Sequence, residues 1–244
     1  TDLVARQEPM QTLTVVERTK VAEADESFLI QLAGLEVATF TSGDLLAIYP
    51  ANDHRERLYS IGKIGRSIQL SVKVHAHGLG STYLNDLQTG DQVDARIIEN
   101  GHFHMPQNAH TVIMISNGTG IAPFLGMIDQ ENTSVKRHLY CGFRDKASFA
   151  LYENPIADCL VQNKLAALHV AYSREGDRAY VKDLLERDQD FVVETLSQGG
   201  VIMLCGSLSM QNNVIALLDD VCKNKLGKGV SFFQSHGQIL MDCY

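Results

Sequence analysis

The stretch TVIMISNGTGIAPF, residues 111–124, decides the fold of the second half of the chain. Its first five residues are apolar or β-branched, which is typical of a strand buried on both faces in a parallel sheet. The run stops at a turn that contains Gly118 and Gly120. Pro123 has no N–H to leave unsatisfied and therefore favours the first turn of a helix. The stretch predicts a strand, a glycine turn and a helix in succession.

This glycine turn suits an anion such as pyrophosphate. Gly118, Thr119 and Gly120 let the backbone approach a ligand, while free N–H groups and a helix N-terminus face it. The alternative is an ordinary strand-to-helix turn of an α/β domain. Because proline stands at the third glycine position, the loop also differs from the common GxGxxG fingerprint.

The rest of the second half continues the alternation of strands and helices. Apolar strands are predicted at 111–116, 137–142, 167–172 and 201–205. Helical periodicity occurs near 122–130, 147–165, 180–197 and 208–226. Such alternation predicts an α/β domain with a parallel sheet and helices on both faces.

The first half has a different pattern, in which short segments alternate between apolar and polar residues. They cover residues 13–21, 28–32, 45–49, 68–74 and 93–98 and are separated by glycine, aspartate or asparagine turns. Only residues 82–87 show a helical pattern there. The pattern predicts a small antiparallel β-barrel, with the boundary between the two domains near residues 105–110.

Composition limits the function classes. A chain of 244 residues with 45% apolar and 20% charged residues is a normal soluble protein, and a net charge of −8 predicts no nucleic-acid partner. The five cysteines lack CxxC spacing, which favours free thiols in a reducing compartment. No apolar run approaches the roughly 20 residues that span a bilayer. We expect a cytoplasmic protein, or a cytoplasmic domain of a membrane-anchored parent, because the chain starts at Thr1 without methionine.

Two pairs of histidines are candidates for metal ligands. His75 and His77 lie two residues apart, as do His102 and His104, so each pair can share one strand face. Neither pair has a nearby cysteine or carboxylate cluster to complete a tetrahedral site. We expect polar barrel side chains and no metal.

Several motifs in a fixed order resemble the ferredoxin-NADP reductase family. They are GTGIAPF at 118–124, RLYS at 57–60, GLGSTYL at 78–84, YSR at 172–174, CGS at 205–207 and a terminal aromatic residue. The resemblance covers residues from about 40 to 244. It is closest to the reductase module of diflavin enzymes such as sulfite reductase flavoprotein and cytochrome P450 reductase. In those enzymes a segment similar to GDLLAIYPAND, residues 43–53, leads into a connecting domain, whereas here RLYS begins only four residues after Asp53.

The resemblance implies a flavin-binding barrel at residues 1–106 and an NADP-binding domain at 107–244. It assigns Arg57 to the flavin pyrophosphate, Tyr59 to the isoalloxazine and Ser60 to flavin N5. The full flavin set comprises Arg57, Leu58, Tyr59, Ser60, Ser71, Val72, Lys73, Gly78, Leu79, Gly80 and Ser81. For Lys73 a solvated lysine is the alternative. FAD is the expected flavin, and FMN is the alternative because the short link before Gly78 lacks an aromatic residue for the FAD adenine.

For the nicotinamide nucleotide, the resemblance implies NADPH. Ser173 and Arg174 would hold the 2′-phosphate and Tyr180 would stack on adenine, and hydroxyl, guanidinium and ammonium groups suit a dianionic phosphate. A charged loop that opens a helix is the alternative. The full set comprises Gly118, Thr119, Gly120, Ser173, Arg174, Tyr180, Lys182, Cys205, Gly206 and Met210.

The chain end, MDCY, resembles the end of the diflavin reductases. The resemblance places the Tyr244 ring over the flavin and Asp242 beside Ser60 and Cys205, and these four are the candidate catalytic residues. Without this resemblance, a terminal segment would be expected to fray. The implied activity is hydride transfer from NADPH to flavin N5, followed by electron transfer to a redox partner. A flavodoxin-like domain or protein is the expected partner, ahead of a ferredoxin, a free flavin or a haem protein. The alternative function is a regulatory nucleotide-binding module without turnover.

Overall fold

The computed structural model describes residues 10–34, 39–50, 53–130 and 134–244. Positions 51 and 52 of the GDLLAIYPAND segment and the first nine residues of the predicted barrel domain therefore lie outside the described residues. No described helix is long and apolar enough to cross a bilayer.

The first half forms a seven-stranded antiparallel sheet that is nearly closed into a barrel. Its strands are β1 (Gln11–Arg18), β2 (Ser27–Ala33), β3 (Leu45–Ile48), β4 (Arg57–Ser60), β5 (Gly62–Ile64), β6 (Ser67–Lys73) and β7 (Gln92–Ile98). They are arranged in the order β4-β3-β7-β1-β2-β6-β5. Alternate side chains, such as Leu13 and Val15 on β1, fill the interior. The predicted barrel is confirmed.

The second half forms a five-stranded parallel sheet, as predicted. Its strands are β8 (Thr111–Asn117), β9 (Lys136–Phe143), β10 (Ala167–Tyr172), β11 (Val201–Gly206) and β12 (Ile239–Cys243). The order is β10-β9-β8-β11-β12, so the strand of the opening stretch lies at the centre. Its residues 112–116 are buried because helices cover both faces of the sheet.

The described chain also contains seven α-helices. They are α1 (Leu79–Asp86) in the barrel, followed by α2 (Ala122–Asp129), α3 (Lys146–Val161), α4 (Val181–Arg187), α5 (Gln189–Ser197), α6 (Leu208–Leu226) and α7 (Val230–Ser235). Pro123 lies in the first turn of α2, as expected. One core cluster packs α2 and α3 on one face of the sheet, and another packs α4 to α7 on the other face.

Several predicted boundaries were wrong. The helix expected at 147–165 ends at Val161, and the one expected at 180–197 is interrupted at Asp188. The barrel helix begins at Leu79 rather than at residue 82. The predicted barrel segments did not include β4, which has four residues, or β5, whose three residues are too few to show a period. Helix α7 and strand β12 were not predicted either.

The two halves are in direct contact. Helix α2 packs on β5 so closely that a Cβ atom added to Gly126 would lie 2.7 Å from Gly62 Cα. Ser71 Oγ on β6 and Tyr152 Oη on α3 share a buried hydrogen bond of 2.6 Å. These contacts fix the barrel against the parallel sheet. The division into residues 1–106 and 107–244 stays a prediction.

Candidate functional site

A cavity of about 360 Å³ lies where β4, the start of α1 and the chain end meet. We call it the barrel cavity. It brings together most of the residues that the resemblance assigns to a flavin: Arg57, Leu58, Tyr59, Ser60, Ser71, Lys73, Gly78, Leu79, Gly80 and Ser81, with Asp242 and Tyr244. Val72 does not line it, because its side chain packs in the barrel core.

Arg57 is held in the wall of the barrel cavity by its neighbours in sequence. Its Nη2 donates to Asp53 Oδ2 at 2.9 Å, and its Nη1 donates to the Arg55 carbonyl at 2.9 Å. Hydrogen bonds from the backbone and side chain of Arg55 lower the pKa of Asp53 to about 2, so this carboxylate is ionised at neutral pH. No sequence pattern predicted this ion pair.

The first turn of α1 lies against β4. A Cβ atom added to Gly80 would lie 2.8 Å from Tyr59 Oη and 2.9 Å from Arg57 Cγ, so only glycine allows the approach. Ser81 Oγ accepts a hydrogen bond from His75 N at 3.0 Å and donates to the Gly78 carbonyl at 3.2 Å. Gly80 and Ser81 thus lie in the first helical turn rather than in a loop before it, and the Ser81 hydroxyl stabilises the turn.

The chain end forms strand β12 at the edge of the parallel sheet. It pairs with β11, and this register sets Asp242 opposite Cys205. Ser60 Oγ donates to Asp242 Oδ2 at 3.4 Å. Tyr244 continues from the strand, with its N–H donating to the Gly206 carbonyl at 3.0 Å, and remains 64% exposed. The chain end is therefore anchored rather than frayed.

Burial dominates the electrostatics of this cluster. It raises the pKa of Asp242, and His102 and the Ser60 hydrogen bond offset only part of the effect. Burial also raises the pKa of the Cys205 thiol well above its usual range, with a smaller contribution from Asp242. Cys205 is fully buried and lines neither cavity, so its thiol is neutral and enclosed.

A second cavity, of about 270 Å³, lies beyond the carboxyl ends of β8, β9, β10 and β11. We call it the sheet cavity. Of the predicted nucleotide set it brings together Gly118, Thr119, Ser173, Tyr180, Lys182 and Met210. It does not include Gly120, Arg174, Cys205 or Gly206. Lys73 and Thr119 line both cavities, which therefore adjoin.

The glycines of the nucleotide loop serve different purposes. Gly118 has φ +52° and open space around it. At Gly120 a Cβ atom would lie 2.4 Å from the Cys205 carbonyl oxygen, so this glycine permits the close approach of β11. Both glycines were expected to face a ligand, and no sequence pattern indicated this structural reason for Gly120.

One histidine of each pair takes part in a hydrogen bond. His104 Nε2 donates to Asp44 Oδ1 at 2.6 Å, and the backbone N–H of His75 donates to Ser81 Oγ. Across residues 10–34, 39–50, 53–130 and 134–244, no three His, Cys, Asp or Glu side chains are grouped as metal ligands.

Comparisons with known proteins agree with this geometry. Residues 114–215 match the family model of the oxidoreductase NAD-binding domain. The chain is 28% identical over 185 residues to NADPH--cytochrome P450 reductase of Dictyostelium discoideum, covering 69% of this chain and 28% of that protein. It is 29% identical over 163 residues to the sulfite reductase [NADPH] flavoprotein alpha-component of Buchnera aphidicola, covering 64% of this chain and 27% of that protein. The chain thus spans less than a third of these relatives.

A solved structure shares the whole fold. It is a mutant of ferredoxin-NADP+ reductase from Plasmodium falciparum, with a TM-score of 0.79 at 19% identity over 96% of each chain. The chain therefore has the fold of ferredoxin-NADP reductase and resembles the reductase module of these flavoproteins. The family resemblance of this module is confirmed, while the roles of its single residues stay predictions.

The module places further side chains in the sheet cavity that sequence reasoning missed. Arg144 follows β9 at its carboxyl end, where ligands bind in open α/β sheets, and that position could have indicated it. Asn117 ends β8, and its Oδ1 accepts from Ser207 N at 2.9 Å, joining the two loops that border the cavity. Asp25 comes from a turn of the barrel, and no sequence pattern indicated it.

Proposed function

We propose that this module is an NADPH-dependent flavoprotein reductase that passes electrons to a flavodoxin-like domain or protein. The observation that carries the proposal is the junction of the two cavities at Lys73 and Thr119. A flavin in the barrel cavity and a nicotinamide nucleotide in the sheet cavity would meet there. Ser60, Asp242 and Tyr244 lie on the flavin side of the junction.

The residues of the barrel cavity fit a flavin nucleotide, for which we propose FAD with FMN as the alternative. The Arg57 guanidinium and the N-terminus of α1 both suit phosphate oxygens. Burial raises the pKa of Tyr59 to about 12, so its hydroxyl stays protonated beside the ring system. A bound flavin would supply the hydride acceptor and the release of electrons one or two at a time.

The residues of the sheet cavity fit NADPH. Ser173 and Lys182 line it together with Arg144, and these groups match the charge of a 2′-phosphate. Tyr180, which is 62% exposed, offers a ring to the adenine. Arg174 lies beside the cavity, and its backbone N–H donates to the Arg144 carbonyl at 2.8 Å.

The side chains at the mouth of the barrel cavity support the proposal of a redox partner. Leu58 and Leu79 line this cavity and are 50% and 55% exposed. Exposed apolar side chains at the edge of a cofactor site favour contact with another protein surface. The diflavin resemblance makes a flavodoxin-like partner the first candidate.

Purification and anaerobic reduction test the function. We expect a yellow protein whose flavin absorbance bleaches when NADPH is added. A protein that binds NADPH but neither holds a flavin nor oxidises NADPH would instead support the alternative, a regulatory nucleotide-binding module.

Replacing Arg174 tests the choice of nucleotide. The unmodified protein should prefer NADPH to NADH, and Arg174→Ala should raise the KM for NADPH with kcat unchanged, because the 2′-phosphate is distant from the hydride step. Since Arg174 is exposed, solvent screening limits the effect to roughly fivefold. Steady-state kinetics with both cofactors measure it. Arg66→Ala, which removes an exposed arginine from the barrel, is the control, and equal use of NADPH and NADH by the unmodified protein would contradict the assignment.

Replacing Tyr244 tests whether its ring covers the flavin. We expect Tyr244→Ala to tighten NADP⁺ binding and to reduce the preference for NADPH roughly tenfold, because the nicotinamide no longer has to displace a stacked ring. Alanine is preferable to deletion because the Leu208 N–H donates to the Tyr244 carbonyl at 3.3 Å.

Stopped-flow flavin reduction and NADP⁺ titration measure both effects of Tyr244→Ala. Tyr244→Phe keeps the ring and is the control, for which we expect values close to the unmodified protein. Unchanged NADP⁺ affinity and cofactor preference in Tyr244→Ala would show that the ring does not cover the flavin.

A further inference from the structure

Asp25 is a buried carboxylate in the wall of the sheet cavity. It belongs to the turn between β1 and β2 of the barrel, is 9% exposed and lines the cavity. Most of the cavity wall comes from the parallel-sheet domain. Asp25 therefore faces the nucleotide loops from the opposite domain.

The turn holds this carboxylate in place. Asp25 Oδ1 accepts from the Ser27 N–H at 3.2 Å, and the neighbouring Glu26 carbonyl accepts from the Val74 N–H at 2.9 Å. Among the described residues, Asp25 has no salt bridge, and its Oδ2 accepts no hydrogen bond. Burying a carboxylate without a cation is unfavourable, so the position favours a ligand that donates hydrogen bonds.

The chemistry of NADPH restricts which of its groups can meet Asp25. An ionised carboxylate only accepts hydrogen bonds, and it repels phosphates. The hydroxyl groups of the two riboses are donors that lie close to the phosphates. Lys73, on the same wall, would supply a cation for the pyrophosphate between the riboses.

The register of the barrel indicates which ribose lies at Asp25. Ser27, two residues after Asp25, pairs with Lys73 across β2 and β6. Lys73 lines both cavities, so this part of the wall is the end nearest the flavin. Ser173 and Lys182, the groups for the 2′-phosphate, come instead from the loop and helix after β10.

We propose that Asp25 binds the hydroxyl groups of the nicotinamide ribose and so positions the nicotinamide at the junction of the two cavities. The proposal rests on the proposed function. Because NADPH and NADH share this ribose, the contact contributes to the binding of both cofactors without discriminating between them.

Binding measurements on the flavin-loaded protein test the proposal. Isothermal titration with NADP⁺ and with 2′,5′-ADP, which lacks the nicotinamide ribose, is performed on Asp25→Asn and Asp25→Ala. We expect the Kd for NADP⁺ to rise roughly tenfold and the Kd for 2′,5′-ADP to stay unchanged. The KM values for NADPH and NADH should rise by the same factor. Glu23→Gln, an exposed acidic residue in the same turn, is the matched control and should change neither.

The outcomes separate this proposal from the proposed function. Unmodified protein that binds neither probe would contradict the function itself. Normal or tighter NADP⁺ binding by both Asp25 variants would overturn the role of Asp25 alone, and tighter binding would identify charge repulsion instead. Equal weakening of both probes would also overturn it, because the loss would then lie in the adenosine half or in folding.

Discussion

Asp242→Asn is expected to slow the reduction of the flavin by NADPH roughly 100-fold at neutral pH while the flavin content stays unchanged. Asparagine keeps the shape of the side chain and an acceptor for the Ser60 hydroxyl, which donates to Asp242 Oδ2 at 3.4 Å. It removes the negative charge that would stabilise the positive charge developing on nicotinamide as it is oxidised. Stopped-flow absorbance under anaerobic conditions measures the rate.

The pH dependence provides a second readout for Asp242. Burial raises its pKa above the ordinary 3.8, so the unmodified protein should lose rate on acidification at a higher pH than an ordinary carboxyl would give. Asp242→Asn should lack this loss.

The thermal stability of Asp242→Asn should change in the opposite direction to its activity. The raised pKa means that the folded state binds the proton more tightly than the unfolded state does. The stabilisation is therefore present below the unfolded pKa and is lost as the pH rises through the folded pKa. At neutral pH, Asp242→Asn should unfold thermally at the same or a higher temperature. Asp220→Asn, at an exposed site in α6, is the control. An unchanged rate of flavin reduction in Asp242→Asn would show that Asp242 takes no part in the mechanism.

Arg57→Ala is expected to produce a folded but largely colourless protein. Losing a charge-assisted contact to a phosphate costs about 1.5–3 kcal/mol, which corresponds to roughly 10-fold to 150-fold in flavin affinity. The variant also removes the 2.9 Å ion pair between Arg57 and Asp53, although Asp53 keeps its ion pair with Arg55. Flavin absorbance after gel filtration measures retention.

The chain offers a matched control for Arg57. Arg55 pairs with the same carboxylate, but its side chain is 80% exposed and does not line the barrel cavity. Arg55→Ala should therefore retain the flavin. Circular dichroism confirms that both variants are folded, and full flavin retention by Arg57→Ala would refute the assignment of this arginine.

Much of the fold follows from patterns that are local in the sequence. The buried run at 111–116 and the alternation around it predicted the parallel sheet, because a strand covered on both faces needs continuous apolar residues. The short alternating segments within residues 11–105 predicted the barrel, because a period of two indicates a strand with one buried face. The motif resemblance predicted which residues lie together at each site, and most of these residues line the corresponding cavity.

Local patterns did not decide how distant segments meet. Ser60 and Asp242 are 182 positions apart, and their contact, which only the family resemblance implied, depends on the edge strand β12, which no local pattern predicted. The enclosure of Cys205 and the entry of Asp25 into the sheet cavity likewise depend on how the barrel docks on α2 and α3. Sequence patterns record which face of an element is apolar, whereas docking is set by close packing between elements, as at Gly126 and Gly62.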